Sequence, residues 1–348
     1  MPISPIYTPE NTSAAYQLNW ALSLFLNGPL PHEAMWLSAV SEGAERDGVR
    51  ILEWRSPQMD VVQFWLSTTP LVKPSAVIKS IKGRLQAAIR SEQPQAFRRN
   101  YRLESIGAAN VEQTLDYIAL QPQRHEAKDA VAQQETVDRQ LCDPEVDLTR
   151  IRYSAHGEFI HNLHLSVELP PDARDLDTDS FDVVRQMLRT VCAKHVWLLA
   201  RAGLVADHIH LGVGCGIDDV PQDVALSVLN NLAFAFGMRP RFRFSYYVGT
   251  FGPRNRGAIR HAGSAQPFPT DPVSVGTSHF PTDPVSVVPC LMATAPQPAS
   301  ESREKLVAAE PERRSVATRH LTTDTVSVGE GKEQTTDTGS VGEVLADD

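Results

Sequence analysis

Asp207-His208-Ile209-His210-Leu211-Gly212 is the stretch of this sequence that says most about the function of the chain. Side chains alternate between the two faces of a β-strand, so His208 and His210 project together from one face. The apolar residues on either side, including Val205 and Val213, predict a strand with a buried face. Two imidazoles held in this way form half of a metal site, although a strand with one exposed and one hydrogen-bonded histidine gives the same pattern.

This stretch lies in the second of two series of alternating strands and helices, and both series follow the order β-α-β-α-β. In the first series Pro31 opens a helix and Pro122 ends the last one, and in the second Ser180 is the predicted N-cap. The repeated order predicts an α+β protein with two ferredoxin-like α/β sandwich domains in tandem. The predicted elements are strand Ala15–Leu26, helix His32–Gly48, strand or hairpin Val49–Ser67, helix Lys73–Ser91, strand Tyr101–Ser105, helix Val111–Gln121, strand Phe159–Leu169, helix Ser180–His195, strand region Val196–Gly214, helix Val220–Gly237 and strand Arg241–Thr250.

Composition divides the chain into four segments. Residues 1–125 and 149–262 are the two predicted domains, and the polar segment 126–148 between them is predicted to be a linker or connecting helix. Proline, serine, threonine and acidic residues dominate residues 263–348, where no amphipathic period survives. The sequence therefore predicts a disordered carboxyl-terminal tail.

The overall composition favours a soluble cytoplasmic protein. The 348 residues contain no apolar run long enough to span a membrane, and the amino terminus lacks the pattern of a signal peptide. The 4 cysteines are scattered singly, which fits a reducing compartment better than a disulfide framework or a zinc knuckle. No membrane association is expected, and no P-loop or dinucleotide-binding motif indicates a nucleotide cofactor.

The net charge of −9 argues against a nucleic-acid partner until its distribution is considered. Most of the excess acid lies after Gly263, whereas Lys73–Arg102 and Arg239–His261 are strongly basic. Two basic stretches on a nearly neutral body are compatible with a polyanion partner. Ordinary solvated helix faces would explain either stretch taken alone.

Several motifs resemble those of the HUH-endonuclease transposases that use a single catalytic tyrosine, the insertion-sequence 200/605 type and their REP-associated relatives. Asp207–Leu211 matches the family's Asp-His-hydrophobic-His-hydrophobic strand. Tyr117-Ile118-Ala119-Leu120-Gln121 resembles the family's Tyr-Ile-x-x-Gln helix, and Ser105-Ile106-Gly107 matches the sequence that precedes it. Lys82-Gly83-Arg84 resembles a further family motif on the helix after the histidine strand.

The resemblance covers Ala15–Gln121 and again Arg150–His261, but each half lacks a different motif. Where the first half should carry the histidines it has Asp60-Val61-Val62-Gln63. In the second half, the segment that starts at Ser245 leads toward His261 or Ala262 where the tyrosine belongs. Family members are homodimers that can assemble their active sites in trans. The chain therefore resembles a fused pseudo-dimer with one composite site and one that has been lost.

The resemblance implies a metal-dependent single-stranded DNA endonuclease and strand transferase that cleaves at hairpin-bearing repeats through a 5′-phosphotyrosine intermediate. Tyr117 would be the nucleophile, and His208, His210 and Gln121 would hold Mg²⁺ or Mn²⁺. Residues i and i+4 share a helix face, so Tyr117 and Gln121 can face one metal centre. The partner would be single-stranded or hairpin DNA, and the protein a monomeric pseudo-dimer or a domain-swapped dimer. The predicted phosphate contacts are Lys79, Lys82, Arg84, Arg98 and Arg99.

Two other functions remain open at this level. Independent decay of both copies would leave a catalytically inactive hairpin DNA-binding protein, acting as a repressor or structural factor. An RNA-binding protein on the same scaffold is a weaker alternative, because no RNP motif is present. Tyr246 and Tyr247 are expected to pack in a strand rather than act as nucleophiles, and His161 and His164 are not expected to bind metal.

The tail contains four related heptads that begin with Thr-Asp. They are either a peptide motif for a partner or translated copies of REP-like DNA hairpins, since their conserved ends can be encoded by complementary codons. The heptads are Thr270–Gly276, Thr282–Val288, Thr323–Gly329 and Thr336–Gly342.

Overall fold

The computed structural model describes residues 4–125, 130–173 and 175–255, all of which lie within one compact unit, Met1–Val275. We call residues 4–125 the amino half and residues 130–255 the carboxyl half. The predicted disordered tail, the four heptads and the region of His261 and Ala262 lie outside the described residues. Within the described ranges, no helix is long and apolar enough to cross a membrane.

The amino half forms strands and helices close to the predicted ones. The predicted first strand is two strands that divide at Leu18, and the predicted hairpin is confirmed. A single turn of 3₁₀ helix, Glu33–Met35, precedes the first α-helix. The elements are β1 (Ser13–Gln17), β2 (Asn19–Leu26), α1 (Leu37–Arg46), β3 (Val49–Gln58), β4 (Val61–Thr68), α2 (Pro74–Ile89), β5 (Phe97–Ile106), α3 (Val111–Ala119) and α4 (Gln121–Arg124).

The carboxyl half repeats this order after a connecting segment that contains a helix and a short strand. The prediction of Ser180 as an N-cap is wrong: the carboxylate of Asp177 accepts a hydrogen bond from the Ser180 backbone N–H, so the helix begins one turn earlier. The elements are α5 (Ala130–Asp138), β6 (Leu141–Cys142), β7 (Arg152–Ser154), β8 (Gly157–Ile160), β9 (Asn162–Glu168), α6 (Thr178–His195), β10 (Leu198–Leu204), β11 (His208–Gly214), α7 (Pro221–Ala235) and β12 (Ser245–Phe251).

Two six-stranded sheets organise the described residues, and their central strands follow the same order. The amino sheet has the order β3-β4-β2-β5-β8-β7, and the carboxyl sheet has the order β6-β10-β11-β9-β12-β1. Helices α1 and α2 cover one face of the amino sheet, and α6 and α7 cover one face of the carboxyl sheet. The predicted α+β class with two tandem sandwiches is therefore confirmed.

The two halves exchange strands reciprocally. Strand β1, which precedes β2 in the chain, joins the carboxyl sheet parallel to β12. Strand β8, which precedes β9, joins the amino sheet parallel to β5. Each half therefore completes the sheet of the other, and the sheets do not follow the linear division into residues 1–125 and 149–262.

The sheets meet where β5 and β12 end. The Ser105 hydroxyl donates to the Phe251 carbonyl oxygen at 2.7 Å, and the Thr250 hydroxyl donates to the Ile106 carbonyl oxygen at 2.7 Å. Gly107 permits this approach, because a Cβ there would overlap the carbonyl oxygen of Thr250. After Gly107 the chain passes from the amino sheet to the carboxyl sheet, and α3 lies on the latter.

Candidate active site

Strand β11 carries two histidines on the face of the carboxyl sheet opposite α6 and α7. Its alternating residues Ile209, Leu211 and Val213 are buried in the core with those helices. His208 and His210 therefore project from the other face, as the alternation predicts. Their ring centroids lie 4.9 Å apart, and His210 is buried.

Helix α3 brings Tyr117 from the amino half to these histidines. The helix begins with a capping box in which Asn110 and Gln113 satisfy each other's backbone N–H groups. The Tyr117 ring lies edge-on to the His210 ring at a centroid distance of 5.4 Å and to the His164 ring at 5.8 Å. One site is thus assembled from two halves of a single chain.

The close approach of α3 depends on glycines in the strands beneath it. A Cβ at Gly203 of β10 would lie 2.5 Å from the Ile118 carbonyl oxygen, and a Cβ at Gly212 of β11 would lie 2.8 Å from Leu115 Cδ2. Both distances are too short for van der Waals contact. Because a Cβ at Gly203 would meet the backbone of α3, this glycine determines how close Tyr117 comes to the histidines. At Gly212 the flexible end of the Leu115 side chain would have to move.

Gly203→Ala should therefore destabilise the protein by about 1–3 kcal/mol, because the added methyl group forces α3 away from the sheet. Gly83→Ala is the matched control, since a Cβ at Gly83 on α2 meets nothing within 4 Å and alanine favours a helix by about 1 kcal/mol. Denaturant unfolding of both variants measures the effect. Equal stability of the Gly203→Ala and unmodified proteins would show that α3 does not rest on this strand.

The two strand histidines are oriented by hydrogen bonds at their Nδ1 atoms. His208 Nδ1 donates to the Asp207 carboxylate at 2.7 Å, and His210 Nδ1 is hydrogen-bonded to His164 Nε2 at 3.0 Å. A histidine that binds a metal through one nitrogen is usually held by a hydrogen bond at the other. Both residues can therefore present Nε2 to a metal ion.

The protonation states of the site agree with a ligand role. Burial lowers the pKa of His164 to about 4 and lowers the pKa of His210 well below its usual value. Both imidazoles are consequently neutral near pH 7, which is the form that binds a metal ion. The hydrogen bond from His208 lowers the pKa of Asp207, so this carboxylate is charged.

Gln121 lies next to the same strands. Its side chain is buried, and its Cγ would lie 3.4 Å from a Cβ on Gly203, which pairs with His210 in the sheet. The amide nitrogen donates to the Tyr117 carbonyl oxygen at 3.0 Å. This bond leaves the amide oxygen of Gln121 as the atom that can coordinate a metal ion.

His125 is a residue that the sequence interpretation missed. Proline is tolerated in the first turn of a helix, so α4 continues past Pro122 to Arg124 and brings His125 beside His208, with ring centroids 4.7 Å apart. The ligand atoms of His125, Asp207 and His208 lie within 4.8 Å of one another, and this group can hold a metal ion. The spacing Tyr117, Gln121, His125 was the available signal, because residues four apart share a helix face.

Two further residues join the site without having been predicted there. The guanidinium of Arg124 lies 5.0 Å from the centre of the Tyr117 ring. His164, on β9, lies on the same face as His210 because β9 and β11 are adjacent antiparallel strands. His161 faces elsewhere, and its Nδ1 donates to the Gly216 carbonyl oxygen at 2.7 Å. The position of His164 could not be predicted from residue spacing, because it depends on which strands are adjacent in the sheet.

The five predicted phosphate contacts all lie in the amino half, on α2 and β5. Arg84 is bound to Asp47, Arg98 is paired with Asp60, and the Lys82 ammonium donates to two backbone carbonyl oxygens. Lys79 and Arg99 are exposed. These contacts are separate from the group around Tyr117.

The likeness to known proteins is slight. No protein-family model and no curated protein sequence matches the chain. A solved structure described as a candidate transposase from Deinococcus radiodurans R1 is similar over 36% of this chain and 100% of its own, with 18% identity and a TM-score of 0.25. A protein of unknown function from Galdieria sulphuraria is similar over 67% of this chain and 97% of its own, with 10% identity and a TM-score of 0.16.

Proposed function

We propose that this protein is a metal-dependent, transposase-like single-stranded DNA endonuclease and strand transferase that cleaves at hairpin-bearing repeats. One observation carries the proposal: the Tyr117 ring of the amino half lies 5.4 Å from the His210 ring of the carboxyl half. A tyrosine beside an imidazole that can bind a metal ion is the arrangement needed for attack on a phosphodiester. The site needs no second copy of the chain, which supports a monomeric pseudo-dimer.

Tyr117 is the nucleophile in this proposal. Its phenol oxygen forms a bond to phosphorus while the bond from phosphorus to the 3′ oxygen breaks. The phenol loses one proton and the departing 3′ oxygen gains one, which leaves a 5′-phosphotyrosine and a free 3′-hydroxyl. The same 3′-hydroxyl can reverse the step, so cleavage and strand transfer use one site and no nucleotide cofactor.

His208, His210 and Gln121 would hold the metal ion. The oriented Nε2 atoms and the amide oxygen form a mixed nitrogen and oxygen set, which Mn²⁺ accepts more readily than Mg²⁺. A bound divalent cation polarises the scissile phosphate. Asp207 is assigned an orienting role, because its carboxylate already accepts the hydrogen bond of His208.

Arg124 is proposed to bind the phosphate that is attacked. Its guanidinium lies 5.0 Å from the centre of the Tyr117 ring, and the residue is exposed. An arginine in this position attracts the DNA backbone and stabilises the charge that develops on phosphorus.

Covalent capture of DNA tests the proposal. The full chain is incubated with a labelled hairpin oligonucleotide that has single-stranded flanks, in Mn²⁺ or in EDTA, and is analysed on a denaturing gel. We expect an adduct in Mn²⁺ only, and mass spectrometry should place the nucleotide on the peptide that contains Tyr117. Binding of the oligonucleotide without an adduct in Mn²⁺ would contradict the proposal and favour the inactive DNA-binding protein.

A further inference from the structure

A cavity of about 400 Å³ lies on the amino sheet, on the face opposite α1 and α2. Its place matches that of the candidate active site on the carboxyl sheet. There His210 lies opposite Ser166, and on the amino sheet Gln63 lies opposite Ser23 at the equivalent positions of β4 and β2. Gln63 and Ser23 line the cavity, so it occupies the position of the lost second site.

Two arginines supply basic groups to this cavity. Arg102 lies opposite Ser23, at the position that Tyr247 has in the other sheet, and lines the cavity together with Arg99. Arg254 follows β12, and burial together with the charge of nearby Arg102 lowers its pKa, whereas nearby Glu104 raises it. Arg99 and Arg102 therefore line the cavity, and Arg254 lies near Arg102.

Two glutamates offset part of this charge. Arg102 is paired with Glu104 at 2.5 Å and with Glu158 at 3.6 Å. These pairs offset the charge of Arg102, so the positive charge that an anion can meet at this cavity is that of Arg99. Arg99 is exposed at its edge, 3.4 Å from His156, and this pair can reach an anion.

The aromatic ring of Tyr153 lies at the same cavity. Tyr153 lines it from β7, and 70% of this residue is exposed. Ser154 next to it is held by the Tyr101 hydroxyl at 2.6 Å, which fixes the strand that presents Tyr153. An exposed aromatic ring beside arginines is the combination that binds one nucleotide of a single strand, with the base on the ring and the phosphate on the guanidinium.

We propose that this cavity is a second, non-catalytic nucleotide site that holds one nucleotide of a DNA strand, with its phosphate on Arg99 and its base on Tyr153. The volume lies within the range of small-ligand sites, about 300–1,000 Å³. The choice of DNA as the source of the nucleotide rests on the proposed function, whereas the recognition of a phosphate and a base does not.

Binding measurements in EDTA separate this site from catalysis. The full chain carries Arg99→Gln or Tyr153→Ala, and fluorescence anisotropy measures its affinity for a labelled single-stranded oligonucleotide at several salt concentrations. Both side chains are exposed, so the variants should fold. Arg90→Gln, at the exposed residue directly after α2, and Phe234→Ala on α7 are the matched controls for charge and for exposed aromatic area.

We expect each cavity variant to weaken DNA binding about tenfold, which corresponds to the lower end of base stacking energies. Arg99→Gln should also reduce the slope of log affinity against log salt by about 0.7, the value for one phosphate of a single strand, whereas Tyr153→Ala should not. The rate of adduct formation at saturating DNA in Mn²⁺ should be unchanged in Tyr153→Ala. Both controls should bind as the unmodified protein does.

If Arg99→Gln and Tyr153→Ala bind DNA as tightly as the controls do, the inference is overturned, even if the unmodified protein forms the adduct. Isothermal titration with a deoxynucleoside monophosphate distinguishes the source of the ligand. The unmodified protein could bind the free nucleotide and the cavity variants fail to bind it, while all of them bind DNA equally well. This result would overturn the assignment to a DNA strand. Weakened DNA binding without any adduct in the unmodified protein would support this site while contradicting the proposed catalysis.

Discussion

Tyr117→Phe should bind a hairpin oligonucleotide as tightly as the unmodified protein and form no covalent adduct with it. The change removes only the phenol oxygen, and the ring keeps its edge contacts with His164 and His210. Loss of a nucleophile that no neighbour replaces reduces a covalent step by several orders of magnitude, so we expect at least about a thousandfold lower initial rate. Quantified denaturing gels and anisotropy measure the adduct and the binding separately.

Tyr16→Phe is the matched control for this variant. Tyr16 is exposed on β1, and we expect its phenylalanine variant to form the adduct at the normal rate. Persistence of the adduct in Tyr117→Phe would contradict the assignment of the nucleophile. Tyr247 would then be the residue to test, because its ring lies 5.6 Å from that of His164 on the same face of the carboxyl sheet.

The second large effect should come from substitution of the proposed metal ligands. Two overlapping sets of ligands can be distinguished, and they are His208, His210 and Gln121, and His125, Asp207 and His208. His208 belongs to both sets, His210 only to the set with Gln121, and His125 only to the set with Asp207. We expect His208→Ala and His210→Ala to lose Mn²⁺ binding and adduct formation together, because an open site with three protein ligands cannot lose one imidazole without a large loss of affinity. His125→Ala should retain both.

His164→Ala provides a graded comparison. His164 holds the Nδ1 atom of His210 at 3.0 Å but is not a proposed ligand. Loss of such an orienting partner typically lowers metal affinity by about 10–100-fold, so binding should weaken without disappearing. Isothermal titration with Mn²⁺ measures all four variants, and circular dichroism verifies their fold.

Loss of Mn²⁺ binding in His125→Ala, together with normal binding in His210→Ala, would contradict the proposed ligand set. The metal would then lie on the group formed by His125, Asp207 and His208. Adduct formation by all variants in EDTA would contradict metal dependence altogether.

The sequence predicted the elements of the fold well because their signals are local. Apolar alternation in β11 and the helical period of α3 depend on residues within one element, so the strand of His208 and the helix of Tyr117 were both correctly identified. The end of α3 was harder to place, because Pro122 ends a helix only when it falls beyond the first turn. Here it lies at the start of α4, which carries the chain on to His125.

Local patterns alone therefore determined that this chain is an α+β protein with two similar halves, with the histidines on one strand and the tyrosine on one helix. The tertiary structure decided that these two elements meet, because the chain crosses between the sheets at Gly107 and because Gly203 and Gly212 leave room for α3. It also placed His164 and Arg124 at the site. Contacts between residues far apart in sequence depend on strand order and on the space between packed elements, and neither is encoded in the spacing of residues along the chain.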